Sequence, residues 1–180
     1  MRVLGIDPGT IHMGYGVVDE TDGELTLVDY GVLNAPSGDP IERRLWRMFE
    51  GLQELVRDHS PDSMAVEEPF VVRGPRRSAL AVGEARAVAL LVAAGQRVAV
   101  AQYTPTKVRS TVADYGACDK EQIREMVGLL LNRSLNHIAL DASDALAVAI
   151  CHLRHAALDR LIGEQDVEAV GAKRRRNDRA

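Results

Sequence analysis

Apolar residues run almost unbroken from Val3 to Ile6 and stop at Asp7, the pattern of a strand buried on both faces. Pro8-Gly9-Thr10 and Gly14 interrupt this pattern, and Tyr15-Gly16-Val17-Val18 resumes it. Thr21-Asp22-Gly23 reads as a turn. Glu24–Leu33 then alternates as a third strand through Leu25, Leu27 and, less cleanly, Val28. The connections are too short for helical crossovers, so these three strands form an antiparallel meander.

After the loop Pro36–Pro40 the periodicity changes. Ile41, Leu45, Met48, Phe49, Leu52, Leu55 and Val56 have helical spacing, which predicts a helix over Ile41–His59. Pro61-Asp62 turns the chain into a short strand, Ser63–Glu67. A basic loop over Val71–Pro75 leads to an Ala- and Val-rich helix over Arg77–Ala94, ended by Gly95. Arg97–Gln102 reads as a fifth strand. Helices are expected near Thr106–Ala113 and Lys120–Asn132, then a loop over Ser134–Leu140, then a last helix over Asp141–Ile162. From Glu164 the periodicity is lost and charge dominates. The predicted organisation is a folded domain over residues 1–163 and a basic, disordered tail over 164–180. Strands that alternate with helices join the first strand in parallel by right-handed crossovers. The fold class expected is therefore α/β: one mixed five-stranded sheet, three strands antiparallel and the later ones parallel, with helices on both faces.

Length and composition narrow this picture further. One domain is the default for 180 residues, and 46% hydrophobic residues suffice for a core. With aromatics at only 4%, that core is built from Ala, Val, Leu and Ile. No apolar run approaches the ~18 residues of a membrane span. The chain opens directly on a strand without a secretory pattern, so a cytoplasmic location is expected. Cys118 and Cys151 lack metal spacing and read as reduced thiols. Net charge is -4, yet the last ten residues carry +4 through Lys173, Arg174, Arg175, Arg176 and Arg179 against Asp178, leaving -8 for the rest. An acidic body is not the usual footprint of a DNA binder, although a local basic stripe is enough to follow a phosphate backbone. Arg73, Arg76, Arg77, Arg86, Lys107, Arg109, Lys120 and Arg124 are candidates for that stripe.

Candidate chemistry lies in three acidic islands: Asp7 after the first strand, Glu67-Glu68 after the fourth, and Asp141-Ala142-Ser143-Asp144 at the start of the last helix. Alternation puts Asp7 on the face of Val3 and Gly5, and Glu67 on the face of Ser63 and Ala65, whereas Glu68 follows Met64 and Val66 to the other face. Asp141 and Asp144 are three apart and share a side of their helix. Docking the small stripe of that helix on the small-residue sheet face gathers Asp7, Glu67, Asp141 and Asp144, near the carboxyl ends of neighbouring parallel strands. Each island also has an ordinary reading: Asp7-Pro8-Gly9 as a turn, Asp141 as a helix cap, the glutamates as surface residues. Gathered carboxylates need a cation, and an oxygen-only donor set suits Mg²⁺ or Mn²⁺ rather than Zn²⁺. The matching chemistry is two-metal phosphoryl transfer. His12, His59, His137, His152 and His155 offer no competing ligand spacing, and His152 and His155 read as surface or packing residues.

At these residues the chain resembles the RuvC family of Holliday junction resolvases in the RNase H-like superfamily. The similarity runs in order over most of the chain: Gly5-Ile6-Asp7-Pro8-Gly9-Thr10 with Gly14-Tyr15-Gly16, then Pro61-Asp62 leading to Val66-Glu67-Glu68-Pro69-Phe70. Ser78-Ala79-Leu80 with Val82-Gly83-Glu84-Ala85-Arg86 follows, and Asp141–Ala147 closes the set. The resemblance implies an RNase H-like fold. It implies that Asp7, Glu67, Asp141 and Asp144 are catalytic ligands for two Mg²⁺ per subunit, with Mn²⁺ substituting. It further implies a homodimer making paired, symmetric nicks in a four-way DNA junction, leaving 5′-phosphates and 3′-hydroxyls, in partnership with a RuvA-RuvB branch-migration complex.

Phe70 matches an aromatic of the family that stacks on bases, and reads equally well as a core phenylalanine after a strand; Lys120 matches a functional basic residue near the active site. Arg73, Arg76, Arg77, Lys107 and Arg109 are the further DNA-contact candidates. Arg109 stands where the family usually has lysine, which keeps a phosphate contact and speaks against proton transfer. Asp114 and Cys118 replace a usual glycine and alanine before Lys120. The rival readings are an RNase H-like nuclease for structured RNA precursors, a catalytically silent junction-binding subunit, and an actin-like ATPase, which this length does not accommodate. The Arg77–Ala94 helix is the candidate dimer element, its Ala/Val stripe being equally suited to covering the sheet.

Overall fold

The structure, a computed structural model, describes the backbone of residues 1–68, 76–113 and 119–177, and the side chains of these except 76–79 and 161–177. β1 (Arg2–Asp7), β2 (His12–Thr21) and β3 (Glu24–Asn34) form the antiparallel meander. β4 (Ser63–Glu67) pairs in parallel with β1, and β5 (Ala99–Tyr103) pairs in parallel with β4. The order across the sheet is β3-β2-β1-β4-β5, so the two strands that end in acids are central neighbours.

Alternation along the central strands divides the molecule into two cores. Leu4, Ile6, Met64 and Val66 face α1 (Ile41–His59) and α2 (Arg76–Gly95), where they meet Met48, Leu52, Ala89 and Val92. Val3 and Ala65 face the other way, against α5 (Leu140–Asn177), with α3 (Pro105–Ala113) and α4 (Lys120–Leu130) completing that layer. Here Leu146, Ala149 and Ile150 of α5 are fully buried. Burial on both faces explains why β1 and β4 read as continuous apolar runs.

Several boundaries differ from those read in the sequence. β2 begins at His12 and includes Gly14, which pairs with Asp7 on one side and Val32 on the other. β5 begins at Ala99, because Arg97 takes a left-handed turn conformation at φ 59. α4 ends at Leu130 rather than Asn132, whose φ of 50 is again left-handed. α5 is described to Asn177, residues 161–177 of it as backbone alone. The alternation of β3 is uneven at Val28 because a bulge opposite Val17/Val18 leaves this residue without a partner. The Ala/Val stripe of α2 covers the sheet through Ala85, Val88, Ala89, Val92 and Ala93. Leu80 and Leu91, on the same helix, are exposed. Among the described residues no helix is long and apolar enough to cross a membrane.

Candidate active site

Asp7 closes β1 and Glu67 closes β4, side by side at the carboxyl ends of paired parallel strands. What brings α5 over them is the absence of side chains beneath it. A Cβ on Gly5 would lie 2.1 Å from the Ala145 carbonyl oxygen, and one on Gly14 would lie 1.9 Å from that of Asp141. Only glycine permits so close an approach. The helix therefore rests on the strand backbone and carries Asp141 and Asp144 to the ends of β1 and β4. Asp141 sits in the first turn, where the helix dipole favours its charge.

Two shorter helices supply the cations. Pro105 occupies the first position of α3, and the Thr104 hydroxyl accepts from the Lys107 backbone N–H at 3.3 Å, which starts the helix that presents Arg109. α4 opens with a capping box. Asp119 accepts from the Gln122 N–H at 2.9 Å, while the Gln122 side chain accepts from the Asp119 N–H at 3.0 Å. The box fixes Lys120 as the first helical residue, from which its ammonium reaches Asp144 Oδ2 in an ion pair. Glu67, Arg109, Lys120 and Asp144 line a cleft of about 110 Å³ together with Pro105, Val108, Ile123 and Ala147. A larger groove of about 500 Å³ along Arg124, Leu129 and Arg133 contains Glu125 as its one acid and lies apart from this cluster.

The cluster is electrostatically loaded. Burial pushes the Asp7 carboxyl up to about 8, and the charges of Glu67, Asp144 and Asp141 push the same way, against Lys120. Glu67 is also raised, first by burial and then by Asp144, while Lys120, a hydrogen bond with Asp7 and Arg109 oppose the rise. Burial works against the Lys120 ammonium, but its hydrogen bond to Asp144 and the charges of Asp144, Asp7 and Asp141 prevail and raise its pKa. Among the described residues no three acidic, histidine or cysteine side chains converge into a finished cation cage. The donor set nonetheless fits a hard divalent cation: it consists of carboxylate oxygens, and their mutual repulsion is relieved by added positive charge.

The structure thus gathers Asp7, Glu67, Asp141, Asp144, Lys120 and Arg109. Glu67, not Glu68, shares the α5 face, as alternation requires. Lys107 does not join the group; it is exposed on α3, and its charge bears on Cys151. Arg76 and Arg77 begin α2, with side chains outside the described set. Phe70, Arg73, Asp114 and Cys118 lie outside the described residues. Two features went unread in the sequence. Arg44 on α1 donates to the Thr10 hydroxyl at 3.1 Å and so braces the turn after Asp7. Tyr103 ends β5 in register with Glu67, and its hydroxyl meets His152 Nδ1 of α5 at 2.8 Å. Parallel register alone was the signal for Tyr103; nothing local marked Arg44.

A mixed sheet in the order 3-2-1-4-5, with acids at the ends of its central strands and on the helix laid over them, defines an RNase H-like nuclease. Residues 3–152 match the family described as crossover junction endodeoxyribonuclease RuvC, and the chain belongs to that family. It is 46% identical to the RuvC of a Dehalococcoides mccartyi strain over 166 residues, 92% of this chain and 100% of the relative. It is 48% identical to that of Chloroflexus aggregans over 152 residues, 84% of this chain and 92% of the relative. Among solved structures, T. thermophilus RuvC in complex with a Holliday junction substrate superimposes with a TM-score of 0.82 at 31% identity, covering 88% of this chain and 96% of that one. A yeast mitochondrial Holliday junction resolvase shares the fold at a TM-score of 0.61 and 12% identity, over 83% of this chain and 76% of that one.

Proposed function

We propose that this chain is a Mg²⁺-dependent endodeoxyribonuclease that nicks four-way DNA junctions, with Asp7, Glu67, Asp141 and Asp144 as the metal-holding acids. The single observation that carries the site assignment is the state of Asp7. A carboxyl pushed up to about 8 by burial and by three neighbouring acids is a poor arrangement for stability alone. It becomes favourable once divalent cations share the cluster. Two Mg²⁺ ions, when bound, supply an activated water and a charge clamp on the scissile phosphate.

The chain's own residues set up the rest. Asp7 and Glu67 stand on the rigid ends of β1 and β4, so their carboxylates are preorganised by the sheet. Asp141 and Asp144 are held over them by the glycine floor. Lys120 and Arg109 line the open side of the cleft and balance the charge of the phosphate there. Arg109 holds its proton too firmly for acid–base work and acts as a phosphate contact. Symmetric nicking of two strands requires two such sites. A second copy docked through the exposed outer face of α2, around Leu80 and Leu91, would provide the other one. Action on chromosomal junctions places this work in the cytoplasm, in recombination and repair, beside a RuvA-RuvB branch-migration complex.

Asp7→Asn tests the reading. The variant is expected to bind a synthetic four-way DNA junction and to lose cleavage in Mg²⁺ and in Mn²⁺. Cleavage at the wild-type rate would remove Asp7 from the mechanism. A structured RNA assayed in parallel separates the rival substrate: it is expected to remain intact under conditions that cut the junction. Absence of cleavage by the wild-type protein even in Mn²⁺ would point to the silent-subunit alternative.

A further inference from the structure

The four acids do not share their counter-charge equally. Asp144 is ion-paired with the Lys120 ammonium, while Asp7 and Glu67 face each other and carry raised pKa values. Lys120 belongs to the first turn of α4, fixed by the Asp119–Gln122 capping box, and its stem is flexible. Its side chain is 53% exposed, whereas that of Asp144 is 17% exposed. The ammonium therefore reaches inward to the carboxylate from the solvent side of the cleft, the side from which a phosphate backbone must approach. Among the described residues no three acids converge into a cation cage.

We propose that Lys120 is an exchangeable internal counter-cation: it holds Asp144 in the metal-free protein, yields that carboxylate to the divalent cation, and turns outward to the DNA phosphate. The inference rests on reading these acids as metal ligands, and gives Lys120 a second role at the same site. An ion pair whose cation is half exposed is screened from the solvent side, so a dication displaces it readily. A lysine suits the exchange because its charge is compact and its three donors rotate freely, whereas a planar guanidinium would lock on the carboxylate. The arrangement makes metal binding and phosphate binding cooperative, because the metal that takes Asp144 frees the cation that meets the substrate.

The test is Mn²⁺ binding by the full chain without DNA, followed by electron paramagnetic resonance, for wild type, Lys120→Met, Lys120→Gln and Arg109→Met. Removing the competitor is expected to tighten Mn²⁺ binding roughly tenfold in both Lys120 variants and clearly less, by about threefold at most, in Arg109→Met, whose charge bears on Glu67 without pairing with it. The same Lys120 variants are expected to melt at a lower temperature in chelator and to gain more from added Mg²⁺ than wild type does. Equal or weaker Mn²⁺ binding by both Lys120 variants, with wild-type binding intact, overturns the exchange and leaves the site assignment standing. Equal tightening by Arg109→Met also overturns it, since a general loss of positive charge would then be the cause. If no protein in the set binds Mn²⁺, the site assignment falls and this inference falls with it.

Discussion

Replacing Asp7 by Asn is expected to stabilise the metal-free protein while destroying its cleavage. The folded state holds the Asp7 carboxyl at about 8 against an ordinary 3.8, first through burial and then through Glu67 and Asp144. At roughly 1.4 kcal/mol per pH unit, a rise of this size sets a ceiling of about 6 kcal/mol on the cost of ionising Asp7 in the fold. Local relaxation and water reaching the cleft bring the expected value to about 2–4 kcal/mol. The sign follows from the two pKa values. Well below pH 3.8, Asp7 is protonated in both states and costs nothing. Between about 4 and 8 the unfolded chain releases a proton that the folded chain keeps, so stability falls as pH rises. Above about 8 the full penalty stands. Asparagine is neutral throughout and nearly the same size. In chelator at alkaline pH, Asp7→Asn should therefore melt roughly 5–12 °C above wild type for a chain of this length. The gap should close near the acid end, and excess Mg²⁺ should narrow it from the wild-type side. Thermal melts followed by circular dichroism across this pH range measure both. A variant that melts at or below wild type at alkaline pH, or a gap independent of pH, would refute the reasoning.

Gly14→Ala puts a methyl 1.9 Å from the Asp141 carbonyl oxygen, so the start of α5 must lift. Overpacking of this kind costs about 1–3 kcal/mol, and cleavage should fall by a larger factor than junction affinity, because Asp141 moves off its partners. Chemical denaturation and single-turnover cleavage read the two effects. Arg109→Gln should weaken junction binding and reduce the salt dependence of that binding by about one phosphate contact, measured by fluorescence anisotropy over a salt series. An unchanged slope would remove Arg109 from the DNA interface.

Much of this architecture was legible from spacing alone. The alternation of side chains along the strands Val3–Asp7 and Ser63–Glu67 fixes which face each acid takes, and the small residues around them predict close docking of the last helix. Gly5 and Ala145 show why that worked: the stripe of small residues is the physical condition for the contact. Gly14 was misread as a break because a glycine in a strand and a glycine in a turn look alike locally. Its reason is tertiary, the helix above it. Lys107 and Arg109 present the same difficulty. Two residues apart on a helix, they point about 200° apart, so only one can face the acids, and sequence did not say which. The structure selects Arg109. Arg44 and Thr10 meet across 34 positions of the chain, a contact no local pattern announces.

The central claim is that Asp7, Glu67, Asp141 and Asp144 jointly hold divalent cations. Anomalous diffraction from crystals of the Mn²⁺-loaded protein tests it most directly. Two Mn²⁺ peaks are expected between the ends of β1 and β4 and the first turns of α5, with Asp7 in contact with both and Lys120 withdrawn from Asp144. Peaks away from these carboxylates, or none in crystals of a protein that cleaves junctions, would contradict it.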